Sequence, residues 1–270
     1  DRTATFNYHY YFGNDGKIQA AWTKWIFDGE IYGGTYLEDI HYVIMRYDSK
    51  MHVHKLIFNE GLDLSFNDSS ILLDYKLYSA DLTVAMNGAN TEVTLPYAAS
   101  TDMRLVVSPQ DTAGAANPGD TLVPDSAATT VLTFNDIDLT GTDFCVGFPY
   151  TFTWTMNPFY IRDKNNAPIQ DGRLQLSYVT ILFNNSNNFT ATVTPAQRTA
   201  IDTSLSTNSG LRVGRPTSTV GNLEFFDGEF RFPAYGNADK TEITVTAETP
   251  WRVGFTTVEF YGNFRPKRKV

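Results

Sequence analysis

The pattern that most restricts this chain is apolar–polar alternation with a period of two. Phe189, Ala191 and Val193 alternate with Thr190, Thr192 and Thr194, and Ile243 and Val245 with Thr244 and Thr246. Val258, Phe260 and Phe264 share one parity, while Thr257, Glu259 and Tyr261 take the other. Successive side chains of a strand point to opposite sides of its sheet, so each set forms one face. An aromatic fraction of 14%, with 15 Tyr and 19 Phe, suits pleated, half-buried surfaces. The run from Ile40 to Tyr47 is apolar on both parities, which predicts a strand covered on both sides. Asn14-Asp15-Gly16 and Asp227-Gly228 read as hairpin turns, because Asn, Asp and Gly tolerate positive φ. Thr194-Pro195-Ala196-Gln197 has the form of a capping box with Pro at the first helical position. It reads either as a turn or two of helix through Leu205 or as a bent continuation of the strand. The expected fold is all-β and antiparallel, with less than about a tenth helix.

The 270 residues, 42% hydrophobic, suffice for one large β domain or two smaller ones. Residues 108–129 are rich in Ala, Gly, Pro, Asp and Thr and cannot bury much surface, so a projecting loop is expected. A second polar stretch, residues 204–221, reads the same way. Both segments are candidates for partner contact, the alternative being solvated loops. The net charge of −9 leaves no large basic face to replace phosphate counterions, which argues against a nucleic-acid binder. The single cysteine, Cys145, lies in the apolar Phe144-Cys145-Val146, so it reads as a small core residue and forms no intrachain disulfide. No run approaches the ~20 apolar residues of a membrane span. The chain opens on Asp1 rather than Met, which reads as a processed or partial chain.

Candidate chemistry is sparse. His52 and His54 are two apart and share a strand face, a spacing that can hold zinc, with His41 on a neighbouring strand. No nearby Cys and no Asp or Glu pattern completes that site, so exposed strand histidines are expected. Asp136-Ile137-Asp138-Leu139-Thr140-Gly141 resembles the start of a calcium loop, but Gly147 stands where the bidentate Glu belongs. Its apolar residues alternate with the carboxylates, as in a strand. No nucleophile elbow, phosphate loop or dinucleotide fingerprint is present. Trp22 and Trp25, three apart, face opposite ways on a strand, and Trp22, Trp154 and Leu176 are expected in the core. Sequence assigns no catalytic residue, cofactor or metal ligand. Arg265, Lys267, Arg268 and Lys269 crowd the C-terminus and read as a partner contact, set against a solvated tail as the bland alternative.

Three segments together resemble the tail tubular protein B, or nozzle, family of podoviruses. The first is Ala21-Trp22-Thr23-Lys24-Trp25-Ile26-Phe27, similar to the family's W-x-K-W-x-F. The second runs from Tyr150-Thr151-Phe152-Thr153-Trp154 through Tyr160-Ile161-Arg162-Asp163 to Asp171-Gly172-Arg173-Leu174-Gln175-Leu176. The third is Gly228-Glu229-Phe230-Arg231-Phe232-Pro233, then Thr249-Pro250, then Val258 to Phe264 and the basic end. Their order and spacing cover nearly the whole chain and match the family's C-terminal portion. The resemblance implies a structural, non-catalytic subunit of the virion tail. It also implies a hexameric ring, an adaptor of the tail tubular A type, tail fibres, DNA passing through the lumen without specific binding, and contact with the host envelope. Residues 1–58 would be closing strands of a propeller-like domain. Residues 59–270 would be a β-sandwich or barrel-like platform. Two rivals stand beside this reading, a carbohydrate-binding module using exposed Trp and Tyr, and a polysaccharide hydrolase with a carboxylate pair.

Overall fold

The structure is a computed structural model that describes residues 2–13, 16–38, 40–56, 71–108, 111, 116–165, 167–169, 172–205 and 225–266. Twenty strands dominate it, and the single helical turn among the described residues is a three-residue 3-10 turn at Ser79–Asp81. Every strand pairing is antiparallel. None of the sheets closes into a barrel.

The first five strands form a hairpin and a meander. β1 (Ala4–Gly13) and β2 (Gly16–Ile26) pair down to Gly13 opposite Gly16, which puts the expected turn at residues 14–15, outside the described residues. β3 (Glu30–Leu37), β4 (Ile40–Tyr47) and β5 (Lys50–Leu56) make a three-stranded sheet. The strand expected over Ile40 to Tyr47 is present, but only one of its faces is covered. Val43 and Met45 are buried, whereas Ile44 on the other side is 43% exposed.

The first sandwich follows. β6 (Asp74–Tyr78), β7 (Thr83–Asn87), β8 (Asn90–Thr94), β9 (Arg104–Val107), β10 (Thr121–Leu122), β11 (Ser126–Ala128), β12 (Val131–Phe134) and β13 (Phe144–Phe148) sort into two four-stranded sheets. Their orders are β10-β9-β13-β6 and β11-β12-β8-β7. Leu105, Val107, Phe144 and Val146 of one sheet pack on Val93, Leu132 and Phe134 of the other. The stretch 108–129, expected as a loop, supplies the edge strands β10 and β11, and its Ser108, Asp111 and Ala116 are buried. Short strands can form there because β9 and β12 offer unpaired edges.

The second sandwich is built from β14 (Phe152–Thr155), β15 (Gly172–Ser186), β16 (Phe189–Pro195), β17 (Ile201–Leu205), β18 (Phe226–Asn237), β19 (Thr241–Ala247) and β20 (Phe255–Pro266). The sheets β14-β19-β16-β17 and β18-β15-β20 face each other. Ala191, Val193, Ile243 and Val245 from one meet Val179, Ile181, Phe230 and Phe232 from the other. These are the residues whose alternation marked them as one face. The bent-strand reading of Thr194-Pro195-Ala196-Gln197 holds. Pro195 stays in register with Thr241, and the Ala196 N–H donates to the Lys240 carbonyl at 3.0 Å. Asp227-Gly228 is not a turn but part of β18. Asp227 Oδ1 accepts the Asn185 N–H at 2.7 Å, which holds a bulge on β15 where Asn185 has φ 42°. The stretch 206–224 lies outside the described residues, and with it most of the loop expected at 204–221.

The two sandwiches are joined by a seam. Val106 and Cys145, on the outer face of the β9–β13 pair, are buried with Ile71, Leu73 and Trp251. Ile71 and Trp251 form an antiparallel bridge, and the Leu72 N–H donates to the Pro250 carbonyl at 2.6 Å. Cys145 is thus a buried core residue, as its apolar neighbours imply.

The expected core residues divide. Leu176 is buried, Trp154 is half-buried against Phe255 at 5.6 Å, and Trp22 is 69% exposed. Trp22 fails because alternation gives it a face of the β1–β2 hairpin that carries exposed Phe6 and Ile26 instead of a covering layer. Replacing Phe232 with Ala should therefore cost about 3–5 kcal/mol in urea unfolding, while Trp22→Ala should cost less than about 1 kcal/mol.

Candidate functional site

The histidines point inward. On β5, Met51 and Val53 are exposed, while His52 and His54 on the alternate parity face an aromatic cluster. The His54 ring stands edge-on to Tyr75 at 4.3 Å, and His52 lies 6.1 Å from Tyr97. Tyr47 joins Tyr75, Tyr97 and Phe148 at 5.2, 6.1 and 5.8 Å. The Tyr97 hydroxyl donates to the Tyr75 carbonyl at 2.6 Å. The exposed placement expected for these histidines is therefore wrong. Sequence shows that they share a face, but not that the face closes on tyrosines. Burial, then the neighbouring His52, lowers the His54 pKa to about 4. Burial, then Asp28, raises Asp74 on β6 to about 6. Among the described residues no cluster of His, Cys, Asp and Glu side chains is placed to hold a metal ion.

The Asp136 to Gly141 segment is a loop after β12, not the strand its alternation suggests. Asp136 and Gly141 take φ of 56° and 78°, which breaks the extended chain. Buried Thr91 clamps this loop, its hydroxyl donating to the Ile137 carbonyl at 2.6 Å and accepting the Leu139 N–H at 3.1 Å. Leu139 is buried, and the Asp138 carboxylate turns back to the Thr140 N–H at 2.9 Å. That contact, with the Thr140 hydroxyl, lowers the Asp138 pKa. The loop is thus built to close one end of the sandwich.

Exposed aromatic and apolar side chains concentrate on two surfaces. One lies on the first five strands, where Phe6, Trp22, Ile26, Met51 and Val53 are each more than half exposed. Tyr8 lies against Trp22 at 4.7 Å. The other is the outer face of the β18-β15-β20 sheet. There Tyr261 stacks on Tyr178 at 4.9 Å with 9° between the rings, and Arg231 lies over Tyr178 at 3.3 Å. The parity of Tyr261 was legible, whereas its partners depend on the β15–β20 register, which sequence does not give. Arg265 is exposed near the end of β20, in register with Arg173. Lys267, Arg268 and Lys269 lie outside the described residues.

A chain of stacked β-sandwiches, whose prominent side-chain clusters are packing devices or exposed faces, belongs to the class of structural assembly subunits. The match to the bacteriophage nozzle protein family runs over residues 1–270, and the chain belongs to that family. Membership makes it a structural component of the bacteriophage tail and places it in the virion tail. It is similar to Tail tubular protein gp12 of Escherichia phage T7, with 23% identity over 285 residues. That alignment covers 98% of this chain and 34% of the relative, so the chain spans about a third of that relative's length.

The two shifted groups oppose each other in pH linkage. Between their ordinary and shifted values, 6.5 to about 4 for His54, the unfolded chain binds a proton that the folded chain does not, so stability falls as pH falls. Between about 6 and 3.8 the folded chain binds a proton at Asp74 that the unfolded chain lacks, so stability rises as pH falls. Urea midpoints measured from pH 7 to 4 should drop more steeply in Asp74→Asn than in the unsubstituted protein, and less steeply in His54→Gln.

Proposed function

We propose that this chain is a passive wall element of a tail nozzle ring, repeated as a hexamer around a channel through which DNA leaves the particle. The observation that carries the reading is the family match over the whole chain, joined to a fold of two sandwiches locked by a buried seam. Such a body suits a tube wall, because close-packed interiors transmit strain rather than yield. The net charge of −9 supports a lumen that repels DNA and lets it slide without specific binding.

In this reading residues 1–58 are closing strands of a propeller-like domain, whose exposed Phe6, Trp22 and Ile26 are met by further β structure. Residues 59–270 form the platform. The ring sits between an adaptor of the tail tubular A type and the host envelope, with tail fibres as neighbours. The protein carries out no turnover of its own.

The basic end supplies a contact. β20 runs in register with β15 up to Pro266, which anchors the start of the Arg265, Lys267, Arg268 and Lys269 cluster and lowers the entropy lost on docking. This tail crosses to a neighbouring subunit, an adaptor or a fibre. Exposed pairs contribute only ~0.2–1 kcal/mol each, so the four act together.

Electron microscopy of the purified full-length protein tests the reading, with a six-fold ring and axial channel as the expected result. Monomers or closed dimers would contradict it. Reversal of all four tail charges should weaken assembly, more so at low salt where screening is least. Normal assembly and DNA ejection after removal of residues 265–270 would reduce the tail to a solvated end.

A further inference from the structure

The outer face of the β18-β15-β20 sheet is polarised along its length. At one end Arg173 and Arg265 sit side by side in register, both exposed. The Arg173 guanidinium is held outward by the Asn237 carboxamide. At the other end Glu229, opposite Leu182, and Glu259, opposite Thr180, are exposed on the same face. Nine residues of β15 from Arg173 to Leu182 separate the ends by roughly 30 Å. Between them stand Tyr178, Tyr261 and Tyr235, the last two 56% and 60% exposed, with Arg231 lying on the Tyr178 ring.

This face has the composition of an interface centre. Tyr and Arg dominate binding hot spots because they bury a large rigid area at low entropic cost. The opposite face of the same sheet is committed to the core through Val179, Ile181 and Phe232. The tyrosine stack is therefore fixed from below and available from above.

We propose that this face docks a second copy of the same chain in a head-to-tail manner. The arginine end of one subunit overlaps the glutamate end of the next, and the tyrosines supply the buried area. The choice of a second copy rests on charge complementarity, since both halves of the contact are present on one chain. A contact joining two different ends of a subunit is heterologous and closes into a ring when the rotation fits. The inference rests on the ring reading above and adds the surface that makes it.

Charge reversal in the full-length protein, followed by sedimentation velocity, tests the proposal. Arg173→Glu with Arg265→Glu should weaken association by at least about tenfold, as should Glu229→Arg with Glu259→Arg. All four substitutions on one chain should restore assembly, because the interface then carries the same pairs with signs exchanged. Tyr261→Ser, which changes no charge, should also weaken it, with circular dichroism and melting temperature showing that each variant is folded. Wild-type rings with unaffected charge variants, or no recovery in the fourfold variant, would overturn this face and leave the ring reading intact. A wild-type protein that stays monomeric would overturn both.

Discussion

Trp251 is the contact on which the arrangement depends. It comes from the second sandwich, bridges to Ile71 at the entrance of the first, and is buried with Val106 and Cys145. Those two residues belong to a sheet whose other face, through Leu105, Val107, Phe144 and Val146, already forms the first core. The sheet is therefore covered on both faces. Its inner strands accordingly read as nearly continuous apolar runs, as in Phe144-Cys145-Val146, and not as alternation. Without the seam the two sandwiches would be joined only by chain connections and by the bond from Leu72 to Pro250.

The polar parts of the structure serve the same end. Thr91 closes the loop after β12, and Asp227 holds the bulge that bends β15. At the bulge near Leu176, Gly262 leaves room that any side chain would take from the Gln175 carbonyl. The one cluster with shifted titration, His54 and Asp74 near Tyr75, lies where the first strands meet the first sandwich. Its chemistry is that of burial. Desolvation is the leading cause of both shifts, which is what a packing contact produces.

Much of this was legible in the sequence. The alternation in 189–194 and 243–246 gave both the strands and the face that forms the second core. The limits were also physical. Period two assigns residues to faces but does not say which face finds a covering layer. Trp22 and Val53 therefore sit in water, while His52 and His54 sit under tyrosines. Local signals lost to pairing in two places: the capping-box form at Thr194 was overridden by the β16–β19 ladder, and the Asp227-Gly228 turn signal by β18. Alternation in turn misled at Ile137 and Leu139, where positive φ at Asp136 and Gly141 makes a loop. The tyrosine and arginine ladder was not visible, because cross-strand neighbours depend on register between segments some 80 residues apart.

The claim that the seam makes the two sandwiches one mechanical body is open to a direct measurement. Scanning calorimetry of this chain should show a single cooperative transition, and Trp251→Ala should split it into two, one for each sandwich. Two separate transitions in the unsubstituted chain would contradict the account. So would a Trp251→Ala variant that still melts in a single step at an unchanged temperature.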